Sequence, residues 1–337
     1  MIRSWIEKHH EEDSVKKIGI ITLALVLCAG AFAFADDGSV LPAGVGRFYV
    51  ANTYAFANSS FDVDGNLNDI PDGGGAIKVY NLGLALEYGV TDWISAAIQW
   101  APGVNLWTER DALAAGSETN LAGMADIFAG AKFLIVGEKA PVQNSTIRFA
   151  VAPGVKIPLP GTDMQEQLAN IMDLDPDTAV TVAQADKHLF ALGARAYFDY
   201  IINTMFFVDL YSEFTYYPLE GDYQDVSPMP TSTSKIAYGY QFVLEAEPHF
   251  DYMTDAGIRL SAGLPLTYVV TPNYKVDDTE VADTGTTVLK IAPSVSALLT
   301  KTPLPLEFKL GYSLPLMGTN TYATNSVTFQ AKAYFKF

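Results

Sequence analysis

The sequence predicts an all-β chain: a transmembrane, antiparallel, up-and-down β-barrel of about twelve strands, with long outer loops and short periplasmic turns. Three observations lead there. Apolar and polar residues alternate with a two-residue period through many segments. The connections between those segments alternate between short and long. The chain also opens with the features of an exported protein.

Lys16 and Lys17 precede an apolar run from Ile18 to Ala35, which finishes in Ala33-Phe34-Ala35 before acidic Asp36 and Asp37. A basic start, an apolar middle and a small-x-small finish describe a secretory signal peptide cut after Ala35. A membrane-anchoring helix is the rival reading, and the Ala-x-Ala site followed by acids disfavours it. Cys28 follows Leu27, where lipoprotein processing needs a small residue, so Cys28 belongs to the apolar middle. Residues 1–14 are an unusual prefix, and Val15 read from an alternative start codon is the expected true start. The domain expectation is therefore a leader over 1–35 and a single outer-membrane barrel over 36–337.

The mature part has no cysteine, so an exported chain must be held together without disulfides. The whole chain carries a formal charge of −17, from 38 acids against 21 Lys and Arg. That balance argues against a nucleic-acid partner.

The strands place oily residues on one face and charges on the other. In 79–90, Tyr80, Leu82, Leu84, Leu86 and Tyr88 oppose Asn81, Gly83, Ala85 and Glu87. In 146–159, Ile147, Phe149, Val151, Val155 and Ile157 oppose Arg148, Ala150, Ala152 and Lys156. Phe206, Val208, Leu210, Phe214 and Tyr216 oppose Asp209, Tyr211 and Glu213. Ile236, Tyr238, Tyr240, Phe242 and Leu244 oppose Lys235, Gln241, Glu245 and Glu247. Lys78, at a strand end, is the clearest exception. Aromatics near the ends of the oily faces suit lipid interfaces and separate this pattern from a soluble sandwich.

Short connections fall at 89–93, 137–145, 201–204, 249–254 and 300–304. Long ones fall at 58–74, 108–121, 160–186, 219–233, 271–285 and 317–325. The final segment, Ser326 to Phe337, alternates to its last residue and is expected to close the sheet against the first strand. Its Phe329, Phe335 and Phe337 resemble the C-terminal signal read by barrel-assembly machinery. Pro158, Pro265 and Pro315 occupy the wet face near outer strand ends, where the expected meaning is a bulge at the rim.

Tyr88-Gly89-Val90-Thr91-Asp92, Pro158 to Gly161 and Pro315 to Gly318 resemble motifs of a family of outer-membrane transporters associated with phenol degradation. The resemblance implies a barrel that passes small solutes. Related fatty-acid transporters hold an N-terminal plug in the lumen. Here little more than Asp36 to Pro42 precedes the first strand, so a plug of that kind is expected to be missing.

The predicted lumen lining mixes signs: Lys132, Arg148, Lys156, Arg195, Arg259, Lys290, Lys309 and Lys332 against Glu87, Asp126, Asp199, Asp209, Glu213, Glu245, Glu247 and Glu307. Such a lining can pair across a small barrel or border a narrow aqueous path. The expected function is a narrow channel or small-solute transporter, the alternative a non-conducting structural or adhesin-type barrel working through acidic loops. Expected partners are outer-membrane lipid, the assembly machinery and small solutes of unknown identity.

No cofactor, metal or catalytic residue is expected. The loops at 62–69 and 173–178 start like calcium loops but lack the glycine and the closing glutamate. His188 and His249 are the mature histidines, and no recognisable nucleophile motif accompanies them. A short helix is expected at 164–174 in the longest loop.

Overall fold

The computed structural model describes residues 38–69, 77–108, 119–159, 189–223 and 234–336. The leader, Cys28, His188, Phe337, the 173–178 loop and the helix expected at 164–174 lie outside them. A closed antiparallel barrel of twelve strands forms the body. Its strands are β1 (Val45–Ala57), β2 (Ile77–Thr91), β3 (Ile94–Thr108), β4 (Ile127–Gly137), β5 (Ile147–Ile157) and β6 (Ala191–Ile201). They continue as β7 (Phe206–Tyr217), β8 (Gly239–Met253), β9 (Ile258–Gly263 with Leu266–Thr271), β10 (Thr286–Ile291 with Ser294–Leu299), β11 (Leu306–Thr319) and β12 (Asn325–Lys336).

Each strand pairs with its sequence neighbours, and β12 returns to β1 in a register running from Val45↔Lys336 to Phe56↔Asn325. Closure satisfies the backbone groups that an edge would leave bare in lipid. The seam is covered from outside, because the Phe335 ring lies where a Cβ on Gly46 would stand, 2.2 Å away. Phe329, on the same oily face, stacks on Phe308 at 6.3 Å. Inside the seam, the hydroxyls of Thr53 and Thr328 bond at 2.9 Å.

The alternation works as the period requires. Leu86, Tyr88, Leu210, Phe214, Tyr216, Leu244 and Phe329 are exposed on the outside, while Glu87, Asp209, Glu245 and Lys332 are buried within. An outer face of large apolar side chains is stable when lipid covers it.

Three expectations need correction. Residues 249–254 do not form a turn: β8 runs on to Met253, and the turn is closed by Gly257 N–H donating to the Thr254 carbonyl at 2.9 Å. Ile236 and Tyr238 do not face lipid, because the chain resets at Gly239, whose φ is +73°. Ile236 is buried, and Tyr238 packs on Tyr217 and Tyr274 among the outer loops. Pro265 is not at the rim: it is fully buried at the interruption in the middle of β9. Its carbonyl still accepts from Ala292 N–H at 2.9 Å, so the strand bulges yet stays in the sheet.

The chain before β1 also enters the barrel. Gly38 to Ala43 lie inside the periplasmic mouth, forming a short internal segment where the sequence showed too little chain for a plug. The Tyr88–Asp92 motif docks it. A Cβ on Gly89 would stand 2.1 Å from the Pro42 carbonyl oxygen, so only glycine lets the backbones approach this closely. Gly44 N–H donates to the Gly89 carbonyl at 2.9 Å, and Ala43 N–H donates to Asp92 Oδ1 at 3.1 Å.

Outside the membrane, Asp62 organises the loop after β1. Its carboxylate accepts from the N–H groups of Asp64 and Asn66 at 3.0 and 2.8 Å and from the amides of Asn66 and Asn68 at 3.2 and 3.0 Å. Both oxygens are thereby engaged in turn chemistry.

Candidate functional site in the barrel lumen

The inward positions of successive strands carry two polar levels with an apolar belt between them. Near the periplasmic end, β5 and β6 bring Arg148 beside Asp199, Nε to Oδ2 at 2.8 Å. The Gly38 N–H donates to both Asp199 oxygens, at 2.8 and 2.9 Å, tying the internal segment to this pair. Across the lumen, Arg47 pairs with Glu87, which also accepts from Ser95 Oγ at 2.7 Å. Lys332 Nζ lies 3.3 Å from Glu307 Oε1, and the Tyr334 hydroxyl donates to Glu307 Oε2 at 2.6 Å. Arg259 reaches Asp251 at 3.9 Å, with its side chain 42% exposed.

Arg47, Arg148, Asp251, Arg259, Glu307 and Lys332 border a cavity of about 530 Å³, closed partly by Ser39 to Pro42. Its wall is sorted by sign. The sector of β7 and β8 contributes Asp209, Glu247 and Asp251, flanked by Arg148, which Asp199 backs, and Arg259. The opposite sector, β11, β12 and β1, contributes Lys309, Lys332 and Arg47, answered by Glu307 and Glu87.

Farther out, Leu134, Ala150, Ala152, Tyr197, Tyr211 and Val243 form the belt, and Val40 of the internal segment packs against it. Beyond it, Arg195 Nε pairs with Glu213 Oε2 at 2.8 Å. Its guanidinium also lies over the Phe128 ring, 4.2 Å from the centroid. Tyr211 and Thr215 donate to Glu213, and Gln99 Nε2 donates to the Tyr49 hydroxyl at 3.2 Å. Lys132 stands 3.9 Å from the centre of the Tyr197 ring and Lys156 5.9 Å from that of Tyr217. The Phe128 ring occupies space left by Gly154 and Gly193, where a Cβ would approach it to 2.3 and 3.1 Å. Asp126 is buried and accepts from Leu159 N–H at 3.0 Å, and Glu245 accepts from Thr267. Lys290, half-buried on β10, is cross-strand to Thr267 on one side and Pro315 on the other.

The structure therefore brings Glu87, Arg148, Asp209, Arg259, Glu307, Lys309 and Lys332 to the periplasmic level. It gathers Lys132, Lys156, Arg195 and Glu213 farther out, with Asp126 and Lys290 nearer the outer ends, and it leaves Glu245 opposite Tyr211 at the level of the belt. Sequence reasoning missed Arg47, His249 and Asp251. Arg47 was legible in the alternation Arg47, Tyr49, Ala51, Thr53 opposite Phe48, Val50 and Tyr54. His249 and Asp251 continue the inward parity of Glu245 and Glu247, and were hidden by assigning them to a turn.

These features define an outer-membrane-type β-barrel with a charged, narrowed lumen. Its fold is similar to that of an outer-membrane channel from Pseudomonas putida F1, at a TM-score of 0.66 and 15% identity, covering 89% of this chain and 99% of that one. The β domain of the Bordetella autotransporter BrkA aligns at a TM-score of 0.45 and 9% identity, over 87% of this chain and 100% of that one. No protein-family model matches the chain, and no curated protein matches it.

Proposed function

We propose that the protein is a narrow outer-membrane channel for small polar solutes. The observation that carries this reading is the charge-lined cavity of about 530 Å³ within the periplasmic half of the lumen. A small barrel that serves only as a scaffold fills its interior with packed side chains, whereas ionised walls around open space favour water and hydrophilic solutes. The sign-sorted walls orient a dipolar solute across the path, and the Tyr197–Tyr211 belt limits its width.

That same belt favours a second reading, a sealed barrel acting through its outer loops, since Val40 packs against it and narrows the lumen. Planar-bilayer recording of the refolded chain separates the two. The channel reading expects discrete ohmic steps, with Arg259→Gln shifting the reversal potential toward cation selectivity. A folded protein that conducts no ions, or a reversal potential that Arg259→Gln leaves unmoved, counts against it.

A further inference from the structure

At the periplasmic level, register places Asp199 opposite Asp209 and Asp209 opposite Glu247. Like charges directly across a strand pair repel, so this row calls for positive charge. Arg148 answers it at the Asp199 end. At the other end stands Glu247, 3% exposed, whose Oε1 accepts no hydrogen bond although the side chain lines the cavity. His249 Nδ1 lies 3.4 Å from that oxygen. One donor atom from each of Asp209, Glu247 and His249 lies within 4.8 Å of the other two. The imidazole is also held in place from behind. Its ring stacks on Phe207 at 4.5 Å, and Nε2 lies 3.3 Å from Asp251 Oδ1. A carboxylate behind one ring nitrogen, leaving the other aimed at two carboxylates, is how metal-binding histidines are oriented.

We propose that Asp209, Glu247 and His249 bind a divalent transition ion of the zinc class at the periplasmic end of the lumen, with Asp251 as the positioning residue for His249. Two carboxylate oxygens and an imidazole nitrogen suit zinc better than calcium or magnesium, which take oxygen ligands. An ion bonded at about 2.1 Å needs donors about 3.4 Å apart in tetrahedral geometry, so modest side-chain rotation closes the site. The fourth position faces the cavity and takes water. The ion adds positive charge at the Glu247 end of the carboxylate row. Because it sits in the wall of the cavity, its charge also opposes cation passage.

The test titrates refolded protein in detergent with Zn²⁺ alone by calorimetry, with Ca²⁺ in a parallel titration. The expected result is one saturable zinc per chain, with affinity falling about 10- to 100-fold in Asp251→Asn. Saturable binding is lost in His249→Ala. His249→Gln, closer in size, gives the same loss if the alanine variant fails to adopt the compact, heat-modifiable form. Binding that survives both histidine substitutions, calcium binding at equal affinity, or no saturable zinc overturns the proposal. None of these readouts requires the barrel to conduct.

Discussion

Asp199→Asn is the substitution that tests how the internal segment is held. Asp199 is 1% exposed, and its two oxygens share the Gly38 N–H at 2.8 and 2.9 Å while Arg148 Nε approaches one of them at 2.8 Å. A hydrogen bond to a charged acceptor contributes about 1.5–3 kcal/mol, and one to a neutral acceptor about 0.5–1.5 kcal/mol. Asparagine keeps an oxygen for Gly38 but removes the charge, so the docked segment loses about 1–1.5 kcal/mol of its attachment. That is a rise of about five- to twelve-fold in the undocked population. Other ties include Ala43 to Asp92, Gly44 to Gly89, the burial of Leu41 and the packing of Val40 on the belt. They lie nearer β1, so release should start at Gly38. Amide exchange at Ser39, Val40 and Leu41 measures it directly, with conductance as the second readout. Exchange that stays at the wild-type rate in a folded Asp199→Asn barrel refutes the argument that this carboxylate anchors the segment.

Gly89→Ala should release the same segment from its other end, because the new Cβ meets the Pro42 carbonyl oxygen at 2.1 Å; faster exchange at Leu41 in a folded barrel checks this. Glu213→Gln leaves Arg195 buried without its opposite charge, so unfolding in urea from lipid vesicles should show a loss of about 3–5 kcal/mol. Leu86→Arg puts a charge on the lipid face and should cost up to about 2–4 kcal/mol if the position is near the bilayer midplane, falling toward the interfaces. The loop after β1 should hold its form to low pH. The N–H of Asn66, followed by the side-chain and backbone donors of Asn66, Asn68 and Asp64, keeps the Asp62 carboxyl below its ordinary 3.8. A lowered folded value means the ordering is present above 3.8 and lost only as pH falls through the lower folded value. Amide shifts of Asn66 followed by NMR on acidification check it, and a midpoint at or above 3.8 would contradict it.

Sequence alone determined the barrel, because the two-residue period fixes which side chains share a face whatever lies across from them. It separated Leu86 and Leu210 from Glu87 and Asp209, and the lengths of the polar connections sorted turns from loops. It could not see phase changes set by single backbone positions. Gly239 turns the chain at positive φ and moves Tyr238 off the lipid face. Pro265 keeps its place in the middle of β9 because its carbonyl finds Ala292, a partner remote in sequence.

The candidate site was legible as a set of inward charges and illegible as an arrangement. Which acid meets which base depends on register between strands, and register joins residues far apart in the chain, as Lys332 joins Glu307 and Arg47 joins Glu87. Docking of Gly38 on Asp199 likewise spans the barrel from its first described residue to its sixth strand. Alternation is a local property and can be read from one strand at a time. Pairing across a closed lumen is a property of the whole circle, and tertiary structure alone decided it.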